Sequence, residues 1–435
     1  MIFKSSKKLI ENYEECETFT NKYTENIGGK SEWVSDNGTF FGEPEDAPKS
    51  KSETKVKEIE LLTDLDDGSA NDGTGGLQKG IVFGKTYKFK VKSYTKEEPT
   101  SKSVVKWMYK YHNLKDNKWE EVYSKNTGEN YAVHFNEEEM CGRFIYIRAY
   151  IDDEKEEGEL KVWKHNRFRW FDRKIIKNEV NERETKPYLA DQNETPTCGM
   201  AAIYYLLAKK EFEKYKKFVL ELHQTGVSKC NSYSFDVSDK SLHLLKMNPN
   251  TNTKYPNYKV KMPYCDWISF SCMRDKENGV RNYDGENDES FDGSTLPREL
   301  VKVTKEILGF TSVVDNTNVV FNKGTLFWDG ENSSSREIAK MEELYSKGYS
   351  IVMFINTKML EQRKETIDGK VVIKTGVKSG LLSTFEHWVV FEGVIGGTIN
   401  WDEFDFKVFT WGEIRNIIIN PEAFGSNFYG YVYGK

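Results

Sequence analysis

Asp191-Gln192-Asn193-Glu194-Thr195-Pro196-Thr197-Cys198-Gly199-Met200-Ala201-Ala202 joins two unlike textures. The first half is polar and contains a proline. The second half opens an apolar run that predicts a helix from about Cys198 to Ala208, with Met200, Ile203, Tyr204 and Leu207 on it. Thr195 or Thr197 can cap that helix. A thiol in the first turn sits at the positive end of the helix dipole, which favours thiolate. Gln192 stands six residues before Cys198, so a side-chain amide and the cysteine's own N–H can converge on one oxyanion. A buried structural cysteine at a helix start is the competing reading of the same residues.

Downstream, a second helix carries Phe212, Tyr215, Phe218, Val219 and Leu222 on one face. Residues 226–293 are rich in Asn, Ser, Asp and Gly, with one apolar island at 264–270. A long insert of this kind either walls one side of a cleft or is a mobile surface excursion. Thr295-Leu296-Pro297 opens a helix to Leu308 that Gly309 closes. Ser334-Ser335-Arg336-Glu337 reads as a capping box for a helix reaching Lys347. Residues 349–356 read as a buried strand, and 385–393 follow a charged hairpin as another. A last strand, 404–410, ends in Trp411-Gly412.

Upstream, over residues 56–175, the period is two. Tyr87, Phe89 and Val91 alternate with lysines, and Val105, Trp107, Tyr109 and Tyr111 share one face. Trp119 and Val122-Tyr123 mark a shorter strand. Phe144, Tyr146 and Tyr150 oppose Ile145, Ile147 and Ile151, and Leu160 and Val162 begin a final strand. Strands at this spacing, divided by Gly, Asn and Asp turns, predict an antiparallel β-sandwich. Trp107 resembles the core tryptophan of immunoglobulin-like domains, in architecture alone. Asp64-Leu65-Asp66-Asp67-Gly68 fails the EF-hand register and reads as a solvated turn. Residues 1–55 read as a polar lead or delivery segment with room for a short helix over 4–25. The fold class expected is multidomain, an N-terminal β-sandwich (56–175) followed by an α+β body (176–435).

Composition narrows the function. The 435 residues suffice for two or three domains, and the net charge of −6 comes from 63 basic and 69 acidic residues that are interspersed. Without a basic tract, nucleic acid is a poor partner. No run approaches a membrane span, and the N-terminus has no apolar signal region. Cys16, Cys141, Cys198, Cys230, Cys265 and Cys272 are scattered, which argues against a disulfide framework or a zinc site, and no cofactor is expected. Six histidines remain as candidate bases, and His387 opens an apolar strand.

Taken together, the Gln192–Cys198 segment, a helix closed by glycine and feeding a hydrophobic strand, the strand start His387-Trp388-Val389-Val390, and a strand ending in Trp411-Gly412 resemble the papain-like cysteine peptidase superfamily. The likeness covers about residues 186–435 and is nearer to bacteriocin-leader-processing peptidases and papain-like toxin domains than to papain. It implies an α+β papain-like domain in which Cys198 is the nucleophile, His387 the base and Gln192 an oxyanion donor. Papain-like enzymes place Asn-Ser just before Trp-Gly, where this chain has Phe409-Thr410. The third member is therefore Thr410, Asp402, Asp405 or absent. The layout resembles secreted interbacterial effectors, of the type VI kind among others. It implies a cytoplasmic product exported into target cells, a protein or peptide substrate, a cognate immunity protein and a secretion-machine carrier. A peptidoglycan amidase, a transglutaminase-like acyl transferase and a non-catalytic binding protein are the rival readings.

Overall fold

The computed structural model describes residues 54–250, 261–279, 282–285, 295–318, 330–367, 370–379 and 386–435. The lead segment read over 1–55 lies outside them except for its last two residues.

The first body is built from strands, with two single-turn 3-10 helices at Lys102–Val104 and Glu138–Met140. β1 (Val56–Leu61), β2 (Asp66–Ser69), β3 (Leu77–Gly80), β4 (Thr86–Tyr94), β5 (Lys106–Asn113), β6 (Lys118–Thr127), β7 (Asn130–His134), β8 (Arg143–Tyr150) and β9 (Gly158–Lys164) follow in order. They form antiparallel sheets in the orders β1-β4-β7 and β6-β5-β8-β9, with β2-β3 as a separate hairpin. The alternation seen in the sequence puts Tyr87, Phe89 and Val91 of one sheet and Trp107, Ile145 and Ile147 of the other into one apolar core. Trp107 stacks on Tyr131 at 5.2 Å and donates its indole N–H to the Gly128 carbonyl at 2.7 Å. β6 corrects the short strand expected around Trp119. It is ten residues long and lies at a sheet edge, and it leaves Trp119 53% exposed. The Asp64–Gly68 stretch is not a solvated turn either, since Asp66 begins β2 and its carboxylate accepts from Lys85 Nζ and Tyr87 Oη, both at 2.6 Å.

The second body is mixed. Helices α1 (Arg173–Glu182), α2 (Cys198–Lys210) and α3 (Phe212–Thr225) precede the hairpin β10 (Val227–Cys230) and β11 (Tyr233–Asp236), followed by α4 (Tyr264–Glu277) and α5 (Pro297–Leu308). Then come β12 (Val313–Thr317), α6 (Gly330–Ser346), β13 (Ser350–Asn356), the hairpin β14 (Gln362–Ile367) and β15 (Lys370–Thr375), β16 (Glu386–Val394), β17 (Phe404–Thr410), β18 (Glu413–Ile419), α7 (Pro421–Asn427) and β19 (Phe428–Gly434). Six strands make one antiparallel sheet in the order β12-β19-β13-β16-β17-β18. All seven residues of β13 are buried, because both faces of the sheet are covered. Val352, Phe354, Trp388, Val390 and Phe409 face α2 to α5. Ile351, Met353, Ile355, Val389, Phe391 and Val408 face α6 and α7. The protein is thus a multidomain α+β chain with antiparallel sheets.

Several local expectations change. The island at 264–270 belongs to α4, which is buried from Cys265 to Asp275 in the helical core rather than laid over a cleft. Ser334 does not open α6. The helix starts four residues earlier, at Gly330, and the Ser334 hydroxyl donates to the Pro421 carbonyl at 2.9 Å. The strand ending at Thr410 is not the last, since β18 and β19 follow, and β19 lies inside the sheet. Pro297 and Gly309 bound α5 as read, with Gly309 at φ 67°.

Candidate active site

The first turn of α2 has no side-chain cap. This corrects the expectation for Thr195 and Thr197. Thr195 Oγ1 donates instead to the Gln192 carbonyl at 2.7 Å and meets Thr197 Oγ1 at 2.8 Å, which folds the loop on itself. The leading N–H groups of α2 therefore have no competing hydroxyl. Burial pushes the Cys198 thiol up to about 11, and the N–H groups of Trp388, Gly199 and Cys198 itself pull it down without reversing the shift. The thiolate expected from the helix dipole is not the resting form. Gly199 is required for packing here, because a Cβ at that position would lie 2.6 Å from the Thr295 side chain.

His387 is the second residue of β16 and is buried. Burial holds its imidazole down to about 3, and the Arg415 guanidinium adds to the effect. Thiol and imidazole are consequently both neutral at pH 7. Nε2 of His387 lies 2.7 Å from Thr410 Oγ1, so Nδ1 is the ring nitrogen not engaged by Thr410. The ring also stacks on Trp411 with centroids 4.5 Å apart and planes 18° off parallel.

The alternatives to Thr410 sit elsewhere. Val394 pairs with Phe406, so Asp405 lies past the far end of β16, about 26 Å along the strand from His387. Asp402 precedes β17 in the connecting loop. The Trp388 indole stacks on Phe354 at 4.4 Å and donates to the Thr295 carbonyl at 2.9 Å. Its backbone N–H, not its ring, reaches the thiol.

Gln192, Cys198 and His387 line one cavity of about 660 Å³. The Gln192 amide is buried and spends one N–H on the Thr195 carbonyl at 2.9 Å, so one N–H is left over. Thr295 and Arg298 around the start of α5 and Asp315 and Thr317 on β12 line it as well. None of the described residues of 226–293 lines it, contrary to the expected wall. Thr295, Arg298 and Asp315 carried no motif that would have marked them.

The other chemically notable side chains are engaged structurally. Among the described cysteines Cys198 is the most exposed, at 8%, whereas Cys141, Cys230, Cys265 and Cys272 range from 0 to 3%. His223 accepts from Arg173 at 3.1 Å through Nδ1 and donates from Nε2 to the Phe171 carbonyl at 3.0 Å. His165 reaches the Asp66 carbonyl at 3.1 Å, and His134 reaches Thr86 Oγ1 at the same distance. No protein-family model, curated protein or solved structure matches this chain.

Proposed function

We propose that the chain is a cysteine endopeptidase whose second body is a papain-like domain and whose first body is an immunoglobulin-like sandwich. The observation that carries the reading is the meeting of Gln192, Cys198 and His387 in one cavity across 189 residues of sequence. A purely structural cysteine has no need to share a cavity with a buried histidine and an amide donor.

The reaction starts from the neutral pair. As the Cys198 sulfur bonds to a peptide carbonyl carbon, its proton passes to His387 and the carbonyl π electrons move onto oxygen. The N–H of Cys198 and the free N–H of Gln192 receive that oxyanion. Each such donor is worth about 10²–10³ in kcat. Collapse expels the amine, which takes the proton from His387, and water then attacks the thioester by the same relay. Thr410 fixes the ring through Nε2, and being neutral it stabilises an imidazolium less than a carboxylate would.

The layout further supports an exported antibacterial effector. Incubating a bacterial proteome with the purified chain should create new peptide termini that Cys198→Ala does not create. Identical terminus profiles for the two proteins would sink the peptidase reading. Growth arrest on expression in a bacterium, relieved by Cys198→Ala, tests the effector role separately.

A further inference from the structure

We propose that Arg183 and Asp266, a buried ion pair outside the cavity, are positioning residues that hold the two halves of the active site in register. The inference rests on the hydrolase reading above. Arg183 stands at the end of α1 and Asp266 on α4, and they are 2% and 0% exposed. Arg183 Nη2 donates to Asp266 Oδ2 at 2.5 Å and to the Leu189 carbonyl at 3.0 Å. The same Oδ2 accepts the backbone N–H of Asp191 at 2.9 Å. The pair thus grips residues 189–191, immediately before the oxyanion donor Gln192.

Asp191 passes this constraint in two directions. Forward, its carboxylate accepts the Asn193 N–H at 2.8 Å and sets the turn that returns Thr195 to the Gln192 carbonyl and amide. Sideways, it lies against Gly412, where an added Cβ would come 3.1 Å from the Asp191 Cβ. Gly412 belongs to the turn whose Trp411 stacks on His387. One carboxylate oxygen therefore registers the oxyanion donor on one side and the backing of the histidine on the other. Stability alone gives little reason to keep the pair, since a buried ion pair is often matched or bettered by apolar residues of similar volume.

The test compares two probes of Cys198 in the full chain. A tripeptide aldehyde, acetyl-Leu-Leu-leucinal, adds the thiol to its carbonyl carbon, and the thiol proton ends on the hemithioacetal oxygen. That adduct needs the oxyanion donors, whereas alkylation by iodoacetamide, which releases iodide, does not. The double variant Arg183→Met/Asp266→Leu fills the volume and removes the acceptor for Asp191. Asp266→Asn is the second variant, keeps an acceptor oxygen, and remains informative if the double variant misfolds. The proposal predicts that aldehyde affinity falls at least about tenfold in the double variant and less in Asp266→Asn, while the iodoacetamide rate at Cys198 stays within about threefold. Unchanged aldehyde binding in folded variants overturns it, and so does a parallel loss of both reactions. A wild-type chain that is alkylated at Cys198 but does not bind the aldehyde removes the hydrolase reading and this inference together.

Discussion

Cys198 occupies the position where a helix dipole should ionise a thiol, and yet it is protonated at rest. Magnitudes decide this. A helix end is worth up to about 2 kcal/mol for a nearby charge, whereas full burial of an ionised group costs several. With His387 held near 3 there is no imidazolium to make up the difference. The sign for reactivity follows. Below a thiol value of about 11, the thiolate fraction rises about tenfold per pH unit, so iodoacetamide alkylation of Cys198 should climb steadily from pH 7 into the alkaline range. A preformed thiolate–imidazolium pair would give a flat rate through neutrality instead. Mapping the alkylated cysteine at each pH distinguishes the two. Cys198 and His387 could be singled out in the sequence because one opens a helix and the other stands second in a strand. Whether Thr410, Asp402, Asp405 or no side chain at all stands against His387 was open, since that depends on strand register, and register is a pairing property.

At the scale of elements, the β17–β18 hairpin does the most for the site. Thr410 pairs with Glu413, leaving a two-residue loop in which Trp411 and Gly412 have φ of 44° and 72°. Positive φ at both positions is what a type I′ turn requires, and it suits Asn-Gly far better than Trp-Gly. A tryptophan in this region carries about 1–3 kcal/mol of backbone strain, and such strain persists where surrounding contacts hold it. The contacts here are the His387 ring at 4.5 Å and the Arg415 guanidinium at 4.9 Å from the indole. Trp411→Gly should therefore leave thermal stability unchanged or raise it, while kcat falls because the histidine loses its backing. Differential scanning calorimetry with steady-state kinetics reads both effects, and a matched fall in stability and kcat would make Trp411 a packing residue only. Trp411-Gly412 was visible as the end of a strand, but the returning β18 was not. Nor was β19, Phe428–Gly434, which interleaves aromatics with glycines instead of alternating apolar and polar residues and so gives no period of two.

Across the whole molecule, Asp172 joins the bodies. It caps α1 by accepting from Lys174 N at 2.8 Å and Ile175 N at 3.2 Å. Its other oxygen accepts from Gly73 N at 2.9 Å and Ser69 Oγ at 3.2 Å in the first body. A cap is worth about 1 kcal/mol, and each buried donor left unpaired costs about 1–3 kcal/mol more. Asp172→Ala should lower the melting temperature by several degrees and separate the unfolding of the two bodies in calorimetry. One unchanged transition would show that the joint does not depend on Asp172. The change of period from two to 3.6 made the two-part organisation readable from the sequence, because each body repeats its own pattern over many residues. The Arg183–Asp266 pair was not readable. Its members lie 83 residues apart, and nothing local marks a charge in the island at 264–270 as partnered.

The claim on which the rest stands is that Cys198 is a nucleophile served by His387. Acid-quenched mass spectrometry of the chain after brief exposure to p-nitrophenyl acetate tests it directly. The account predicts a transient acetyl thioester at Cys198, absent from Cys198→Ala and formed about 10²–10⁴-fold more slowly in His387→Ala. Acetylation confined to lysines, or formed at Cys198 equally fast without His387, would contradict it.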